Sequence, residues 1–581
     1  MLETTHNFSS EEFDPSGSDS LRMPQYTYNS LESGNNIRLL KIQPGSGHQS
    51  LICTLSHYDL EHVYPPYEAI SYTWGDSPDR TTIQIACDLK HRQLSVTKSC
   101  DSILRRLRRP ESARLVWVDA VCINQTDIPE RNSQVAIMSH IYRSAVRVMI
   151  DIGETSQESD LAIDALINWS GERLYGFEEG LAIKRAVCNL YERPWFHRVW
   201  VLQEVFMSKE AVVICGLREV PWGVFRFCRI WVDSRPAWET EHWHVELPKA
   251  VPLTLQVGTH NQREYTARTD LLSLLCKGRM SDATDPRDKV FAIFNMLENA
   301  TVEGLVADYS KLNTTARVYI EIATWLLEKF GLSFLSCVHG ESKLAGLPSW
   351  VPDWSSKVRP EWIIGISDTY WPLSASGNTR AAAGILNISD ELPTLKLRGF
   401  VVDVICATQK WTMAANHDTE EIDQFVLRSF HQEENCSGWW DHLPIKNLPV
   451  YAQRWEPRTN EKRIHPSKWA QIYGLPLDLN GDETDNDICD LYAYFCCGQQ
   501  LIMSEKRYFG VCAETAEPGD LICIFLGAKV PFILREAEEH FKFIGESYVY
   551  GLMMGEALLG KDIEAAYGKD PVSPFQDFLI Y

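Results

Sequence analysis

Three short β-rich runs, each halting near an aspartate and each followed by a helical pattern, constrain this chain more than any other feature. Tyr67-Glu-Ala-Ile-Ser-Tyr72 stops at Trp74-Gly75-Asp76, Leu115-Val-Trp-Val118 at Asp119, and Val146-Arg-Val-Met-Ile-Asp151 at Gly153. Between the first two, residues 97–108 carry Ile103, Leu104 and Leu107 at helical spacing. Between the second and third, a helix from about 128 shows an apolar stripe of Val135, Met138, Ile141, Tyr142 and Ala145. Asp127 can cap that helix, Pro129 suits its first turn, and Glu130 stands where a capping box places an acid. Strand, helix and strand with short links imply a mostly parallel sheet covered on both faces. Ligands of such sheets gather at the strands' carboxyl ends. Those ends are Trp74-Gly75-Asp76, Asp119-Ala-Val-Cys122 and Asp151-Ile-Gly153.

The rest of the chain divides around this α/β core. Residues 1–36, rich in Ser, Asn, Asp and Gly, read as a disordered arm. IRLLKI and LICTLSHYDL predict two strands that open a domain of residues 37–206, with its core at 67–206. Helical patterns fill 159–169, 181–192 and about 195–206. Residues 207–360 look mainly helical, through TDLLSLLCKG, KVFAIFNML and ARVYIEIATWLLEKF. Residues 361–581 form a β-rich C-terminal module with strands such as LKLRGFVVDVI and DLICIFLGA, and with polar insertions between 410 and 500.

Charge and cysteine usage exclude several classes. A net charge of -22 argues against a non-specific nucleic-acid binder, whose footprint is basic. The one dense basic run, Arg105-Arg106-Leu107-Arg108-Arg109, reads as a solvated helix end. The 16 cysteines show no C-x-x-C ladder, so neither a zinc site nor a disulfide framework is expected, and free thiols in a reducing compartment fit better. No apolar run reaches the roughly 18 residues of a membrane span, and the polar start lacks a signal-peptide core. A soluble cytoplasmic protein is the expectation. G-x-G-x-x-G after a strand, the P-loop, H-E-x-x-H and G-x-S-x-G are all missing, which removes the usual support for dehydrogenase, nucleotidase, zinc-protease and α/β-hydrolase chemistry.

Three long motifs, in order, carry a resemblance. Tyr67-Glu-Ala-Ile-Ser-Tyr-Thr-Trp-Gly-Asp76 is the first. Leu115-Val-Trp-Val-Asp119-Ala-Val-Cys-Ile-Asn124-Gln125 with Glu130-Arg-Asn-Ser-Gln134 is the second, and Arg193-Pro-Trp-Phe-His-Arg-Val-Trp200-Val-Leu-Gln203-Glu204 the third. They resemble the motifs of the fungal heterokaryon incompatibility (HET) domain. Asp285-Pro-Arg-Asp288, Leu347-Pro-Ser-Trp350, Pro518-Gly-Asp520, Val530-Pro-Phe-Ile-Leu-Arg535 and Gly551-Leu-Met-Met-Gly-Glu556 look like segments that accompany that domain. The resemblance implies a part in nonself recognition, where such proteins trigger regulated cell death after incompatible cells fuse. It also implies distant similarity to TIR domains, some of which hydrolyse NAD. The fold it implies is a TIR-like parallel sheet flanked by helices, then the helical region and the β-rich module.

By the same resemblance Glu204 falls where NAD-cleaving TIR domains carry their catalytic glutamate, so a glycohydrolase activity is one expectation. Nicotinamide leaves readily, and a carboxylate that stabilises oxocarbenium-like charge suffices to assist it. The bland reading of Glu204 is a partly buried helix residue paired with Arg193 or Arg198. Trp74 can stack on a nucleobase or anchor packing. Asp76 and Asp119 can hold a ribose or water, or cap a turn. Asn124 can bond a ligand amide or satisfy local backbone. NAD would then be a substrate; no cofactor and no metal is expected. The other reading is a non-catalytic TIR-like module that recruits further cell-death proteins. Both readings expect self-association through the HET domain and an incompatibility partner protein.

Overall fold

A computed structural model describes residues 23–31, 34–47, 49–75, 79–87, 90–168, 177–225, 271–294, 296, 307–340, 342–357, 373–386, 392–410, 499–549, 551–567 and 573–581. The chain forms two compact units, one of residues 1–156 and 208–222, the other of residues 157–207 and 223–581. The sequence places 157–206 inside the first domain, whereas these residues cluster with the second unit.

The first unit is built on a sheet of nine described strands: β1 (Asn36–Ile42), β2 (Ile52–Asp59), β3 (Glu68–Tyr72), β4 (Arg80–Cys87), β5 (Lys90–Thr97), β6 (Arg114–Trp117), β7 (Arg147–Asp151), β8 (Ala211–Cys215) and β9 (Arg218–Pro221). Their lateral order is β5-β4-β2-β1-β6-β3-β7-β8-β9. The contiguous parallel block is β6, β3, β7 and β8, and β2 and β4 form a separate parallel pair. Antiparallel pairs β1–β2, β4–β5 and β8–β9 extend it, so the sheet is mixed rather than mostly parallel. The runs β3 and β8 are buried along their whole length, as expected of strands covered on both faces. β4 and β5 carry no continuous apolar run, and their alternation of Thr, Gln and Ser with Ile, Leu and Val buries one side only. That half-wet hairpin carries no apolar run that marks it in the sequence.

Among the parallel strands the chain order β3, β6, β7, β8 gives the lateral order second, first, third, fourth. The chain therefore places one neighbour on each side of β3, and a topological switch point lies between β3 and β7.

Helix α1 (Lys98–Leu107) starts where Thr97 accepts a hydrogen bond from the Cys100 amide at 3.2 Å, and it buries Cys100, Ile103, Leu104 and Leu107. A one-turn helix α2 (Asp119–Cys122) follows β6. The helix expected from 128 is two pieces, α3 (Ile128–Ala136) and α4 (Met138–Ser144), interrupted at Ile137. Asp127 caps α3 as expected, accepting from the Glu130 amide at 3.1 Å. Glu130, however, does not close a capping box; it grips the buried Arg38 guanidinium at 2.6 and 2.8 Å.

Part of the expected disordered arm is ordered. Tyr26 donates its amide to the Gln93 carbonyl at 2.8 Å, and Gln93 returns a bond to Pro24 at 2.9 Å, extending the β5 edge. Arg38 also reaches the Asn29 carbonyl at 2.7 Å and lies over the Tyr28 ring. Residues 1–22 of that arm lie outside the described residues.

The second unit contains α5 (Gln157–Ile167), α6 (Phe177–Tyr191), α7 (Trp200–Met207), α8 (Leu271–Gly278), α9 (Asp288–Phe294) and α10 (Thr315–Phe330). The last three are the helical runs read from sequence, but the region 207–360 opens with the β8–β9 hairpin, which belongs to the first unit. Apolar runs of five residues cannot be told from helix by periodicity alone, which is why the hairpin was absorbed into that region.

The C-terminal module is β-rich as read: β10 (Ala383–Leu386), β11 (Thr394–Lys410), β12 (Gln499–Ser504), β13 (Phe509–Ala513), β14 (Leu521–Phe525), β15 (Phe532–Ala537), β16 (His540–Val549) and β17 (Gln576–Ile580), with a short helix α11 (Ile563–Ala566). The 17-residue β11 pairs with β12 along its last third, with β14 along its middle, and with β10 and β17 at its start. The path β11-β12-β13-β16-β15-β14 thus returns to β11 and closes into a barrel. Register irregularities at Val401/Asp403 and Ile405/Ala407 let the long strand turn between its partners. Phe400, Ile502, Cys512, Ile522, Ile533 and Ile544 fill the interior. The polar insertion at 411–498 lies outside the described residues.

Candidate functional site

In the first unit, the carboxyl ends of β3, β6 and β7 bring several of the sequence-predicted residues together. Beyond β3 the chain turns at Gly75, whose φ is +71°. A Cβ there would meet the Ser99 hydroxyl of α1 at 2.5 Å, a group that can rotate aside, so it is the positive φ that favours glycine. The turn presents Trp74, whose indole N–H donates to the Asp119 carboxylate at 2.9 Å. The other carboxylate oxygen of Asp119 accepts from the Ala120 amide at 2.7 Å, and the Asp119 carbonyl accepts from the Gln125 side chain at 2.9 Å. Trp74 therefore orients Asp119 across two strands.

Asn124 is separate from that pair. Its side-chain oxygen accepts from the Thr126 hydroxyl at 2.8 Å and from the Thr126 amide at 3.3 Å, and its own amide donates to Glu130 at 2.7 Å. These bonds shape the turn into α3. Asp76 lies outside the described residues.

A stronger charged feature lies at the same sheet end. Arg106 of α1 sets its Nη2 against both oxygens of Asp151, at 2.7 and 2.8 Å, and its Nη1 against Glu154. Burial raises the Asp151 carboxyl above its usual range, and Arg106 opposes that shift. The basic run is thus not a solvated helix end. Arg106 is 13% exposed, and Arg108 donates to the carbonyls of Gly47, Gln49 and Ser50. Asp151 was visible as a strand end, but its partner lies 45 residues away and nothing local marks it.

At the opposite ends of the same strands, Glu68 sits between two arginines. Arg114 forks onto both of its oxygens and Arg147 donates to one at 2.8 Å. The parallel register places Glu68 beside Arg147.

Glu204 belongs to the second unit, on α7, and is 3% exposed. Trp200 at the start of that helix hydrogen-bonds the Asp288 carboxyl, which also accepts from the Tyr309 hydroxyl at 2.5 Å. The third motif and the Asp285-Pro-Arg-Asp288 segment therefore meet in space. Burial pushes the Asp288 carboxyl up to about 6, against those two donors. Beside Glu204, the fully buried Gln203 has neither its amide nitrogen nor its amide oxygen hydrogen-bonded. An unpaired buried amide is costly, so this position stands out.

Among the described residues, no helix is long and apolar enough to cross a membrane, and no cluster of His, Cys, Asp and Glu fits a metal ion.

Comparison with known proteins covers both parts of this architecture. Residues 67–204 match the family model described as heterokaryon incompatibility protein (HET). Residues 483–567, which include β12 to β16 of the barrel, match the Het-6 beta-barrel domain. Heterokaryon incompatibility protein 6, OR allele, of Neurospora crassa is 23% identical, with 91% of this chain and 96% of that protein aligned. No solved structure matches.

Proposed function

Because this chain carries a heterokaryon incompatibility (HET) domain, we propose that it acts in nonself recognition and programmed cell-death signalling of the heterokaryon incompatibility type. The observation that carries this reading is similarity to an incompatibility protein through nearly the whole of both chains, barrel included. The protein works in the cytoplasm of a fungal cell, self-associates through the HET domain and meets an incompatibility partner protein.

Within that role the HET domain is TIR-like and cleaves NAD. The second-first-third-fourth order of its parallel strands supports this, since flavodoxin-like doubly wound sheets share it and bind nucleotides at the switch point. Glu204 is the catalytic carboxylate. As the nicotinamide–ribosyl bond lengthens, positive charge develops on the ribose and the carboxylate stabilises it. Water completes the reaction, so NAD and water give nicotinamide, ADP-ribose and a proton. The unpartnered amide of Gln203 supports a polar group arriving beside Glu204. Trp74, Asp119 and Asn124 of the first unit, with Asp76 of the first motif, are the candidates for binding the substrate.

One observation favours the alternative, a non-catalytic module that recruits other cell-death proteins. Glu204 is 3% exposed, and a carboxylate so covered serves structure unless the site opens.

The two readings separate in one assay. The purified chain and a Glu204→Gln variant are incubated with NAD under crowding that favours assembly, and nicotinamide is quantified. Release by the native chain alone establishes the enzyme. No release from a folded, self-associated chain leaves the recruitment module.

A further inference from the structure

Cys276 and Cys337 bring their sulfur atoms to 2.8 Å from one another inside the second unit, although they lie 61 residues apart in the chain. Both side chains are buried. Cys276 stands near the end of α8, and Cys337 closes the 3-10 turn Gly331–Cys337 that follows α10. Directly beyond that turn the chain joins the barrel. His339 bridges to Gly545 of β16, and the Gly340 amide donates to the Ile544 carbonyl at 3.0 Å. The two sulfurs therefore stand where the helical layer meets the strap that enters the barrel.

We propose that Cys276 and Cys337 form a reversible disulfide, with a hydroperoxide as the oxidant, that locks α8 to this strap. One sulfur attacks the hydroperoxide, whose O–O bond breaks to release water or an alcohol and leave a sulfenic acid. The second sulfur then attacks the sulfenic sulfur and expels water, so two thiols have lost two hydrogens and the peroxide has been reduced. The second step is intramolecular and already oriented by the fold. A dithiol reductant reverses it by exchange.

The surroundings decide when this happens. Burial holds the Cys337 thiol protonated, while the nearby Arg279 guanidinium pulls toward the thiolate. Oxidation is therefore slow in the closed unit and proceeds when the 331–337 turn opens. A composition without any C-x-x-C framework hides the pair, because only the tertiary fold brings these two residues together.

The test uses the full chain in a Cys406→Ser background, which removes an exposed thiol able to cross-link molecules. The protein is exposed to hydrogen peroxide, blocked with an alkylating reagent, digested without reductant and analysed by mass spectrometry. The expected result is one linked peptide pair joining Cys276 and Cys337, absent after dithiothreitol and absent in Cys276→Ala. Free alkylated cysteines at both positions, separate sulfinic acids, or linkage of Cys276 to another cysteine would overturn the proposal. Should the alanine variant fail to fold, melting of the unaltered pair decides. The oxidised chain is expected to melt several degrees above the reduced one, and equal melting overturns the lock.

Discussion

The Nη2 of Arg106 lies across both carboxylate oxygens of Asp151, at 2.7 and 2.8 Å, where β7 ends beside the switch point. Each side chain is nearly covered, at 13% and 9% exposed, so the pair is a buried one. Its Coulombic gain offsets part of the burial of Asp151, whose carboxyl stays raised, and removing one partner leaves the other charge buried and unpaired.

Arg106→Met is accordingly expected to lower the stability of the first unit by about 3 kcal/mol at neutral pH. The loss should shrink on acidification, because burial already favours protonated Asp151. Urea unfolding of single and double variants checks this, with Arg106→Met/Asp151→Leu losing less than the summed single changes.

Glu68 gives a second, oppositely signed case. Burial raises its carboxyl, but Arg114 and Arg147 outweigh burial and hold it below its ordinary 4.5. A depressed carboxyl adds stability that is present above 4.5 and disappears as pH falls through the lowered value. Glu68→Gln should cost about 2 kcal/mol at pH 7 and progressively less on the acid side of 4.5, read from denaturant midpoints at each pH.

Asp288 behaves in the reverse sense. Its carboxyl moves from 3.8 to about 6 because burial disfavours the charge. The folded state then holds the proton more tightly, so stability declines as pH rises from 3.8 to about 6 and stays level above. The full effect is at most about 3 kcal/mol. Asp288→Asn should remove that slope from the melting profile of the second unit, while a retained slope would assign the titration elsewhere.

In the barrel, Asp520 accepts from Arg535 at 2.8 and 3.0 Å and from the Glu517 amide at 2.8 Å. Asp520→Ala removes the acceptor these donors share, although Arg535 keeps the Thr515 carbonyl, and should destabilise the C-terminal module by about 2 kcal/mol. Hydrogen exchange of the β14 and β15 amides should show the loss there first, and unchanged protection would contradict it.

Much of the first unit was legible because its strands are short apolar runs with polar stops. β1, β2, β3, β6 and β7 stand where such runs were read, and Thr97 and Asp127 begin helices through local bonds. The β4–β5 hairpin was missed since its strands are half polar, and the break at Ile137 left no proline or glycine to mark it. At the candidate site, Trp74 and Asp119 were both named, but their hydrogen bond was not. Trp74 ends one strand and Asp119 another, and only a parallel register sets them side by side. The switch of Glu130 from capping box to Arg38 is also tertiary, since Arg38 lies on β1, 92 residues away in the chain.

The sequence by itself determined the strands β1, β2, β3, β6 and β7 and most of the helices, that the core is α/β, that the tail is β-rich, and which three motifs carry the resemblance. These are local properties, written in the periodicity and stops of each segment. Tertiary structure alone decided that Arg106 faces Asp151, that Glu68 lies between Arg114 and Arg147, that β11 closes the barrel, and that Cys276 meets Cys337. Each joins residues far apart in the chain, and their proximity follows from strand order and register, which no single segment encodes.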